Sequence, residues 1–532
     1  LVAYDYIIVG AGSAGCVLAA RLSEDPGTRV LLLEAGPPDD APQIRIPANQ
    51  AALLKSAYDW DYATVPQQHA AGRGMYWPSG RTLGGSSSIG AMIYLRGNRH
   101  DYDTWRDEHG CTGWGYADLL PYFRKAEDQQ RGESDYHGVG GPLRVEDLRF
   151  KHPLSHAWVE SAQEHGLPAN RDFNGARQDG AGFYQVTQRR GRRWSAADAY
   201  LRPAMARPNL TVRTDALVTG VTVENGRAVG VRYLWRGEHL REHAEGEVVL
   251  CGGTVGSPRL LLLSGIGPAG HLREHGIQVR ADLPGVGENL QDHPAVPVLW
   301  DTPGVKALWE GFDGRHLALW HSLGRGPLAS NVAEAGGFAR SADDLPAPDL
   351  QYHVLATPHL DQGLTEVPQR MVTVLVAAVA TTGRGRIRLR SAAPHAKPLI
   401  DPVCLAAGSD LETLVAGVRQ ARRIAATGPL ARLVQGEHSP GEQVDDDDAL
   451  RAWVRRAVVT LGRPVGTCAM GGGDEAVVDT ELRVRGIEGL RVVDASVMPT
   501  APRGGTDAPV IAIAERAADL ICGRPPLPAS AP

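Results

Sequence analysis

Three glycines near the start of the chain, Gly10, Gly12 and Gly15, have the spacing Gly-x-Gly-x-x-Gly. Glycines at this spacing let the backbone turn tightly and approach a pyrophosphate held at the N-terminus of a helix. Glu34 follows at the sequence position where, in this pattern, an acidic residue accepts hydrogen bonds from the hydroxyls of a ribose. These residues predict a site for a cofactor that contains ADP.

The elements that must position these residues can be recognised around them. Residues 6–9 are apolar and β-branched, which is typical of a buried parallel strand. Residues 16–22 carry apolar side chains at helical spacing, and residues 29–33 form a second apolar run that ends at Glu34. Strand, glycine turn, helix, strand and acid in this order predict a βαβ unit.

A second stretch rich in glycine and serine, residues 80–89, has the small side chains that suit a backbone pressed against a large planar or anionic ligand. A flexible linker has a similar composition. Residues 92–95 are apolar and follow at once, so we expect this stretch to be buried.

Length and composition limit the classes of protein to which the chain can belong. With 532 residues it is expected to form two or three domains, and 43% hydrophobic and 22% charged residues are ordinary for a globular protein. A net charge of −6 argues against a nucleic-acid partner. We expect no membrane span, because the longest apolar runs are far too short. No metal site is predicted.

The sequence also suggests a cellular compartment. No basic leader and apolar core precede the first strand, so no secretory signal is predicted. The six cysteines are scattered without a Cys-x-x-Cys pair, which favours reduced, buried thiols: Cys16, Cys111, Cys251, Cys404, Cys468 and Cys522. We therefore expect a protein of the bacterial cytoplasm.

Further along the chain, the patterns predict more elements of the first sheet. Between these elements they predict a second region with its own sheet. Residues 209–254 alternate as strands with an Asn225-Gly226 hairpin signal, and a helix is predicted over 257–263. Strand-like segments at 350–355, 371–378 and 386–390 suggest an antiparallel sheet, and residues 408–426 suggest an amphipathic helix. A strand at 490–494 and a helix from about 508 to 521 are expected to dock on the first sheet.

Taken together, several stretches resemble the glucose–methanol–choline (GMC) family of flavoprotein oxidoreductases. The similarity covers nearly the whole chain and lies in residues 5–16, 33–36, 81–89, 253–267, 287–293, 464–468 and 492–496. The resemblance implies a Rossmann-like α/β domain for FAD and an α+β substrate domain built on an antiparallel sheet. It implies an oxidase or dehydrogenase that acts on CH–OH groups, with a small-molecule substrate and with O₂ or another carrier as electron acceptor.

The resemblance also implies which residues contact FAD. The glycine turn would lie at the pyrophosphate, Glu34 at the adenosine ribose, Val218 near the adenine, and residues 81–92 with Asp494 along the ribityl chain and isoalloxazine. The full set is Gly10, Gly12, Ser13, Ala14, Gly15, Glu34, Ala35, Arg81, Gly84, Gly85, Ser86, Ile89, Gly90, Ala91, Met92, Val218, Gly252, Asp494, Ala495, Thr506 and Pro509. Some members attach FAD through a histidine at the position of Ile89, so FAD is expected to be non-covalent here.

The same comparison divides the chain into alternating parts. FAD-binding parts are expected at residues 1–152, 209–300 and 459–532, and substrate-domain parts at 153–208 and 301–458. The active site would lie between the two domains, partly covered by residues 301–330.

The catalytic pattern of the family is altered in this sequence. The usual base is the histidine of a His-Pro-Val-Gly-Thr motif, and Arg463 stands there; Gly505 replaces the usual partner, and Gly90 replaces a common asparagine. Arginine stays protonated, so Arg463 cannot be the general base. It can bind a carboxylate or phosphate, or stabilise negative charge on an oxygen. Arg463, Arg503 and Asp507 are the candidate catalytic residues.

Three hypotheses remain open from the sequence. The first is alcohol oxidation by hydride transfer to flavin N5, with another base or a pre-ionised substrate; His353, His359 and His438 lie in the expected substrate region, although structural or surface roles are favoured for them. The second is a photodecarboxylase-like or lyase-like reaction on an anionic substrate. The third is a flavin-binding protein without turnover, or a variant engineered at position 463.

Overall fold

The first sheet is built around the βαβ unit that the glycine pattern predicts. In the computed structural model, which describes residues 3–365 and 367–532, Tyr4–Val9 lies between Val30–Leu33 and the end of Glu238–Leu250, and all three run parallel. Leu210–Arg213 and Leu490–Val492 extend this parallel arrangement on either side. The strands are buried on both faces, which explains their continuous runs of valine, isoleucine and leucine.

An antiparallel meander continues the same sheet. Ala216–Glu224, Arg227–Trp235 and Glu238–Leu250 pair in order, and the last of these is long enough to enter the parallel part. Asn225 and Gly226 both have positive φ at the first connection, as a two-residue hairpin turn requires. The predicted hairpin is therefore present.

The second sheet is antiparallel and lies in the middle of the chain. Its strands, in spatial order, are Glu437–Ser439, Pro294–Asp301, Met371–Ala378, Leu350–Leu355, Ala333–Ala339 and Gly180–Phe183, with Val459–Thr460 also pairing with Pro294–Asp301. The helix Gly408–Ala425 packs on it through Leu414, Val418 and Ala421. An α/β part with a parallel sheet and a second part built on an antiparallel sheet are thus both present, as the fold prediction states.

Sheet membership differs from the predicted division at two boundaries. Pro294–Asp301 and Val459–Thr460 belong to the second sheet, although the division assigned 209–300 and 459–532 to the FAD-binding parts. The cause is a pairing between strands far apart in the sequence, which local patterns do not reveal. In addition, Arg386–Arg388 pairs only with Leu399–Asp401 and stays outside the second sheet.

The helices predicted at 16–22, 257–263, 408–426 and about 508–521 are all present, among other helices. The α-helices are Ser13–Leu22, Pro42–Arg45, Arg99–Glu108, Tyr116–Ala126, Pro153–Glu164, Arg202–Ala204, Gly253–Leu263, Ala269–Glu274, Gly314–Leu323, Gly408–Ala425, Gly428–Ala431, Asp447–Ala457 and Asp507–Ile521. The remaining short strands are Tyr62–Ala63, Tyr76–Trp77, Glu127–Gln129, Leu143–Asp147, Gln185–Val186, Gln188–Arg189, Arg192–Arg193, Ile266–Gly267 and Ala281–Asp282. Within residues 3–365 and 367–532, no helix has the length and apolar character to cross a membrane.

Candidate cofactor and active site

A cavity of about 380 Å³ opens where the parallel strands of the first sheet end. Residues that follow the carboxyl ends of these strands line it, namely Gly10, Glu34, Gly252 and Asp494. The wall on the other side includes Arg463, which follows Val459–Thr460 of the second sheet. The carboxyl ends of parallel strands are the usual location of ligands in open α/β sheets.

A side chain would meet different surroundings at each glycine of the first turn. Gly10 has a φ of +102°, and a Cβ there would lie 2.5 Å from the carbonyl oxygen of Cys251. A Cβ on Gly15 would lie 1.9 Å from the carbonyl oxygen of Gly10, so Gly15 lets the helix approach the turn. A Cβ on Gly12 would meet nothing within 4 Å, because Gly12 faces the cavity.

The N-terminus of the helix Ser13–Leu22 points its free backbone N–H groups at this cavity. No side chain caps it, since Gly12 is the N-cap residue. Uncapped N–H groups and the helix dipole together favour an anion such as a pyrophosphate. Ser13 donates through Oγ to Asp507, a buried carboxylate at the start of Asp507–Ile521, and burial raises the pKa of Asp507. Asp507 therefore lies at the phosphate end of the cavity.

Glu34 is almost fully buried and accepts hydrogen bonds from the glycine turn. Its Oε2 accepts from the backbone N–H of Ala11 and its Oε1 from that of Gly36, both at 2.8 Å. Burial raises the pKa of Glu34 to about 7 despite these bonds. Each carboxylate oxygen keeps a second lone pair, so Glu34 can still accept from ribose hydroxyls.

The stretch 80–92 forms the central wall of the cavity, as expected for a buried segment. Gly84 and Gly85 have positive φ, and Gly85 lies so close to Gly12 that a Cβ would be 2.7 Å from its Cα. Buried Arg193 holds this wall by donating to the carbonyl oxygens of Ser87 at 3.1 Å and Gly90 at 2.6 Å. Burial lowers the pKa of Arg193 to about 9.

Asp494 fixes another part of the wall. One carboxylate oxygen accepts from the N–H of Gly253 at 2.9 Å and from the hydroxyl of Ser257 at 2.6 Å, and the other accepts from the N–H of Ser496 at 2.8 Å. Burial raises the pKa of Asp494. These bonds join the strand ends of Glu238–Leu250 and Leu490–Val492.

Arg463 extends from the cavity wall towards the second sheet. Its Nη1 donates to Oε1 of Gln351 at 2.7 Å, and its Nη2 lies 3.3 Å from Nε2 of His353. Its backbone N–H donates to Asp292 at 2.9 Å, and burial lowers the pKa of Arg463 to about 10. Among the described residues no carboxylate forms an ion pair with the guanidinium. Arg463 is therefore a half-buried cation at the cavity whose guanidinium contacts Gln351 and His353, while the carboxylate of Asp292 lies at its backbone.

Histidines do not replace the missing base at the cavity. In the described part of the chain no histidine lines it. His353 is buried behind Arg463, and burial with the neighbouring Arg463 lowers its pKa well below the usual value. Burial lowers the pKa of His359 to about 4, and His438 is exposed, 3.8 Å from Asp301.

Most of the predicted contact residues line the cavity. They are Gly10, Gly12, Ser13, Ala14, Glu34, Ala35, Gly85, Ser86, Ile89, Gly90, Ala91, Met92, Val218, Gly252, Arg463, Asp494, Ala495, Thr506 and Asp507. Gly15, Arg81, Gly84 and Pro509 are not in the lining; Gly15 and Gly84 shape the backbone, and Arg81 donates to the carbonyl oxygen of Ala35 at 3.2 Å. Roles in binding stay predictions for all of them.

Two expectations differ from the observed lining. Arg503 lies outside it and forms an ion pair with buried Asp101, which favours a structural role over a catalytic one. Residues 301–330 are also absent from the lining, so their expected role as a partial cover over the active site stays a prediction. The helix Gly314–Leu323 instead packs through Trp320 against the segment that contains Ala48.

Sequence reasoning missed several residues of the site. An aromatic group, Trp60, Tyr62 and Trp77, lines the cavity from a region that has no periodic pattern, and Gln351 is identified only by its contact with Arg463. His293 is fully buried, and neither ring nitrogen has a partner in the described residues. Its position in the matched segment 287–293 was the available signal.

The residues present fit an FAD molecule. The uncapped helix N-terminus beside Gly12 suits the pyrophosphate, and buried Glu34 suits a ribose. The glycine and serine wall at 84–92 leaves space for a planar ring system, with Ile89 offering no atom for a covalent bond to it. The donor groups of the cavity therefore suit the pyrophosphate and a ribose of FAD, and its small side chains suit the ring system.

Comparisons with known proteins agree with this geometry. Models of the GMC oxidoreductase N- and C-terminal regions match residues 4–295 and 381–514. The chain is 45% identical over 527 residues to an alcohol dehydrogenase [acceptor] of Pseudomonas putida, covering 97% of this chain and 95% of that protein. It is 44% identical over 542 residues to the mitochondrial choline dehydrogenase of Homo sapiens, covering 98% and 90%.

A solved structure shares the fold over its full length. The pyridoxine 4-oxidase from Mesorbium loti superposes with a TM-score of 0.90 at 34% identity, covering 98% of this chain and 100% of that one. The chain therefore belongs to the GMC oxidoreductase family of FAD-dependent enzymes.

Proposed function

We propose that the chain oxidises a small alcohol-type substrate that carries an anionic group beside the reacting carbon, and that Arg463 binds this group. The observation that supports the proposal is a half-buried guanidinium at the cavity wall whose side-chain hydrogen-bond partners among the described residues are Gln351 and His353. Among the described residues no carboxylate forms an ion pair with this guanidinium, so a ligand carboxylate in the cavity would give it a charge-assisted partner.

Bound FAD would supply the hydride acceptor, N5 of its isoalloxazine ring. Gln351 and His353 orient the guanidinium, and Asp292 holds the backbone N–H of Arg463. A carboxylate on the guanidinium would place the adjacent hydroxyl-bearing carbon at the cavity wall. Because no histidine lines the cavity in the described residues, we propose that the hydroxyl proton passes to water.

The positive charge of Arg463 also disfavours one substrate that is named for a relative. One relative is named a choline dehydrogenase, and choline carries a permanent positive charge. An arginine at the wall of the same cavity repels such a cation, because unit charges a few ångströms apart interact strongly away from bulk water. We therefore propose that choline is a poor substrate for this chain.

We further propose that FAD is held without a covalent bond, and that the first-sheet parts bind it while the second-sheet parts contact the substrate. Ile89 lines the cavity and supports the first point, because its side chain has no nucleophilic atom. Arg463 and Leu461 at the cavity wall support the second, since they follow Val459–Thr460, which pairs in the second sheet.

An anaerobic substrate screen tests the proposed reaction. Purified holoenzyme is mixed with small 2-hydroxy acids, neutral alcohols and choline, and the flavin absorbance is followed with and without oxygen. We expect bleaching by hydroxy acids in the dark, and the oxygen arm separates an oxidase from a dehydrogenase that needs another carrier.

The same screen distinguishes the other hypotheses. Release of CO₂ that depends on blue light, without bleaching in the dark, would favour a photodecarboxylase-like reaction and contradict the proposal. Absence of both responses across the panel, with FAD still bound, would favour a flavin-binding protein without turnover.

A further inference from the structure

A cavity of about 560 Å³, separate from the one that fits FAD, is lined mainly by arginines. The two cavities share no lining residue. One carboxylate, that of Asp198, lies among six guanidinium groups, and we call the site the arginine cavity: Arg45, Arg189, Arg190, Arg192, Arg193 and Arg202. A cavity of this volume suits a small molecule, and its lining would complement a ligand with several negative charges.

A tight hairpin brings four of these arginines to one place. The short strands Gln188–Arg189 and Arg192–Arg193 pair antiparallel, and Arg190 and Gly191 between them both have positive φ. Positive φ at both positions is the geometry of a two-residue hairpin turn. The sequence Arg-Arg-Gly-Arg-Arg therefore folds so that like charges lie side by side, which is unfavourable unless an anion lies near them.

Aromatic rings hold two arginines of this hairpin. The guanidinium of Arg189 lies 4.8 Å from the ring centre of Trp194. The guanidinium of Arg192 lies 4.5 Å from the ring centre of Trp320 and donates to the carbonyl oxygen of His321 at 3.3 Å. Contact with a ring face uses few of the five N–H donors of a guanidinium, so donors at its edge stay available to a ligand.

Arg193 adds a buried donor to the arginine cavity. Its side chain is only 1% exposed, and its Nε donates to the carbonyl oxygen of Ile44 at 2.9 Å while its Nη1 holds the glycine and serine wall of the FAD cavity. Its Nη2 is buried and has no hydrogen-bond partner in the described part of the chain. A buried donor without an acceptor is unfavourable, so an oxygen atom of a ligand in this cavity would stabilise it.

Two buried carboxylates beside the cavity compensate two of its arginines. Asp198 accepts from Arg45 at 2.5 Å and from Arg202 at 2.9 Å, and Asp39 accepts from the same two arginines at 3.1 Å and 2.5 Å. Glu146 accepts from the backbone N–H of the hairpin turn at 3.1 Å and pairs with an arginine outside the cavity. Among the residues that the structure describes, no carboxylate forms an ion pair with the four arginines of the hairpin.

We propose that the arginine cavity binds a small molecule that carries two or more adjacent phosphate groups. Arginine binds phosphate oxygens through two parallel N–H···O bonds, and a diphosphate can contact several guanidinium groups at once. A single carboxylate would compensate one charge and leave the other arginines without a partner. The site does not rest on the reaction proposed above.

Isothermal titration calorimetry of the holoenzyme tests the proposal. The holoenzyme is used because bound FAD fills the other cavity, and the flavin absorbance after each titration shows whether FAD has stayed bound. Pyrophosphate and ATP are titrated separately at low ionic strength, with adenosine as the uncharged comparison. We expect saturable binding of pyrophosphate and ATP that weakens as salt is added, and no binding of adenosine.

The two phosphate compounds also separate two sources of the same chemistry. Tighter binding of ATP than of pyrophosphate would identify a nucleotide as the ligand, because the nucleoside then adds contacts. Equal or weaker binding of ATP would identify the phosphate groups as the whole recognised part. Either result supports the proposal.

Matched double variants locate the binding site. Arg189→Gln/Arg190→Gln removes two exposed cations of the cavity and should weaken binding by about tenfold or more, because charge-assisted hydrogen bonds are lost. Arg236→Gln/Arg241→Gln removes the same charge from another hairpin and should bind as the wild type does. Arg236 is a close match, since it has positive φ, precedes a turn glycine and lies 4.4 Å from the ring centre of Trp235.

Four results would overturn the proposal, once melting curves show that both double variants are folded. The first is that neither pyrophosphate nor ATP binds to the wild-type holoenzyme. The second is that Arg189→Gln/Arg190→Gln binds as tightly as the wild type. The third is an equal loss in both double variants, because net charge alone would then explain it. The fourth is release of FAD during the titration, because the phosphates would then occupy the FAD cavity.

Discussion

At the residue scale, the difference between arginine and histidine decides the chemistry at position 463. A useful general base has a pKa near the working pH, whereas burial lowers the pKa of Arg463 only to about 10. Its guanidinium therefore stays charged at neutral pH and acts by electrostatics. The nearest imidazole, His353, faces the guanidinium and is disfavoured as a proton acceptor by that charge.

The free energy of unfolding should depend on pH through the carboxyl group of Asp292, which accepts from the backbone N–H of Arg463. Burial raises its pKa from 3.8 to about 6, so the folded protein binds the proton more tightly than the unfolded chain does. Its contribution to stability is full below about 3.8 and is lost as the pH rises through about 6. Relative to Asp292→Asn, the wild type should lose up to about 3 kcal/mol of unfolding free energy over this range.

Thermal unfolding of the wild type and of Asp292→Asn from pH 4 to pH 7.5 measures this difference. A gap in melting temperature that stays constant across the range would show that Asp292 titrates normally.

Because Ile89 has no nucleophilic atom, FAD should be extractable from the protein without breaking a covalent bond. Denaturation of the holoenzyme with acid should release the yellow cofactor into the supernatant, because Ile89 cannot form a bond to the isoalloxazine. The measurement is the flavin absorbance of supernatant and pellet. Flavin that stays with the precipitated protein would contradict the prediction.

At the element scale, two glycines of one turn should behave differently. Gly12→Ala places a methyl group in open space at the cavity, so the apoprotein should keep its melting temperature while its affinity for FAD falls. Gly15→Ala places a methyl group 1.9 Å from the carbonyl oxygen of Gly10 and should destabilise the apoprotein itself, by about 1–3 kcal/mol.

Melting curves of deflavinated protein and FAD titrations of both variants separate these effects. Equal losses of apoprotein stability in the two variants would refute the assignment of one glycine to ligand space and the other to packing.

The elements that sequence patterns predicted best are those whose signal is local. Tyr4–Val9, Ser13–Leu22 and Val30–Leu33 follow from apolar runs and a glycine turn inside a short stretch. By contrast, Arg99–Glu108 and Tyr116–Ala126 are two separate helices, because Gly110 and Gly113 adopt positive φ between them. Composition alone did not indicate that these glycines separate the helices.

At the scale of the whole molecule, the cavity is lined by parts that lie far apart in the sequence. Gly12, Ser86, Gly252 and Asp494 meet there with Arg463 from beside the second sheet. Bound FAD would therefore contact both regions and stabilise the folded chain. Removing it should lower the melting temperature by an amount that corresponds to RT ln(1 + [FAD]/Kd), about 2.7 kcal/mol when FAD exceeds its Kd a hundredfold.

Differential scanning calorimetry of the holoenzyme, the deflavinated protein and the reconstituted protein checks this. A melting temperature that does not respond to FAD would contradict a cofactor that contacts both regions.

The candidate site was only partly accessible to sequence reasoning for the same long-range reason. The glycine turn, Glu34 and the position of Arg463 could be read from motifs, since each lies within a short segment. The contacts of Arg463 with Gln351 and His353 depend on strand Leu350–Leu355, which is more than a hundred residues away and has no motif of its own.

The most direct test of the central claim compares Arg463→Met and Arg463→Lys on a matched pair of substrates, a small 2-hydroxy acid and its neutral amide. If Arg463 binds the carboxylate, Arg463→Met should lower kcat/KM for the acid by about 10- to 150-fold, the value of a charge-assisted hydrogen bond, and leave the amide nearly unchanged. Arg463→Lys should retain part of the preference for the acid. Equal losses for acid and amide in Arg463→Met would contradict the account, because the guanidinium would then serve the fold or the reacting hydroxyl and not an anionic group.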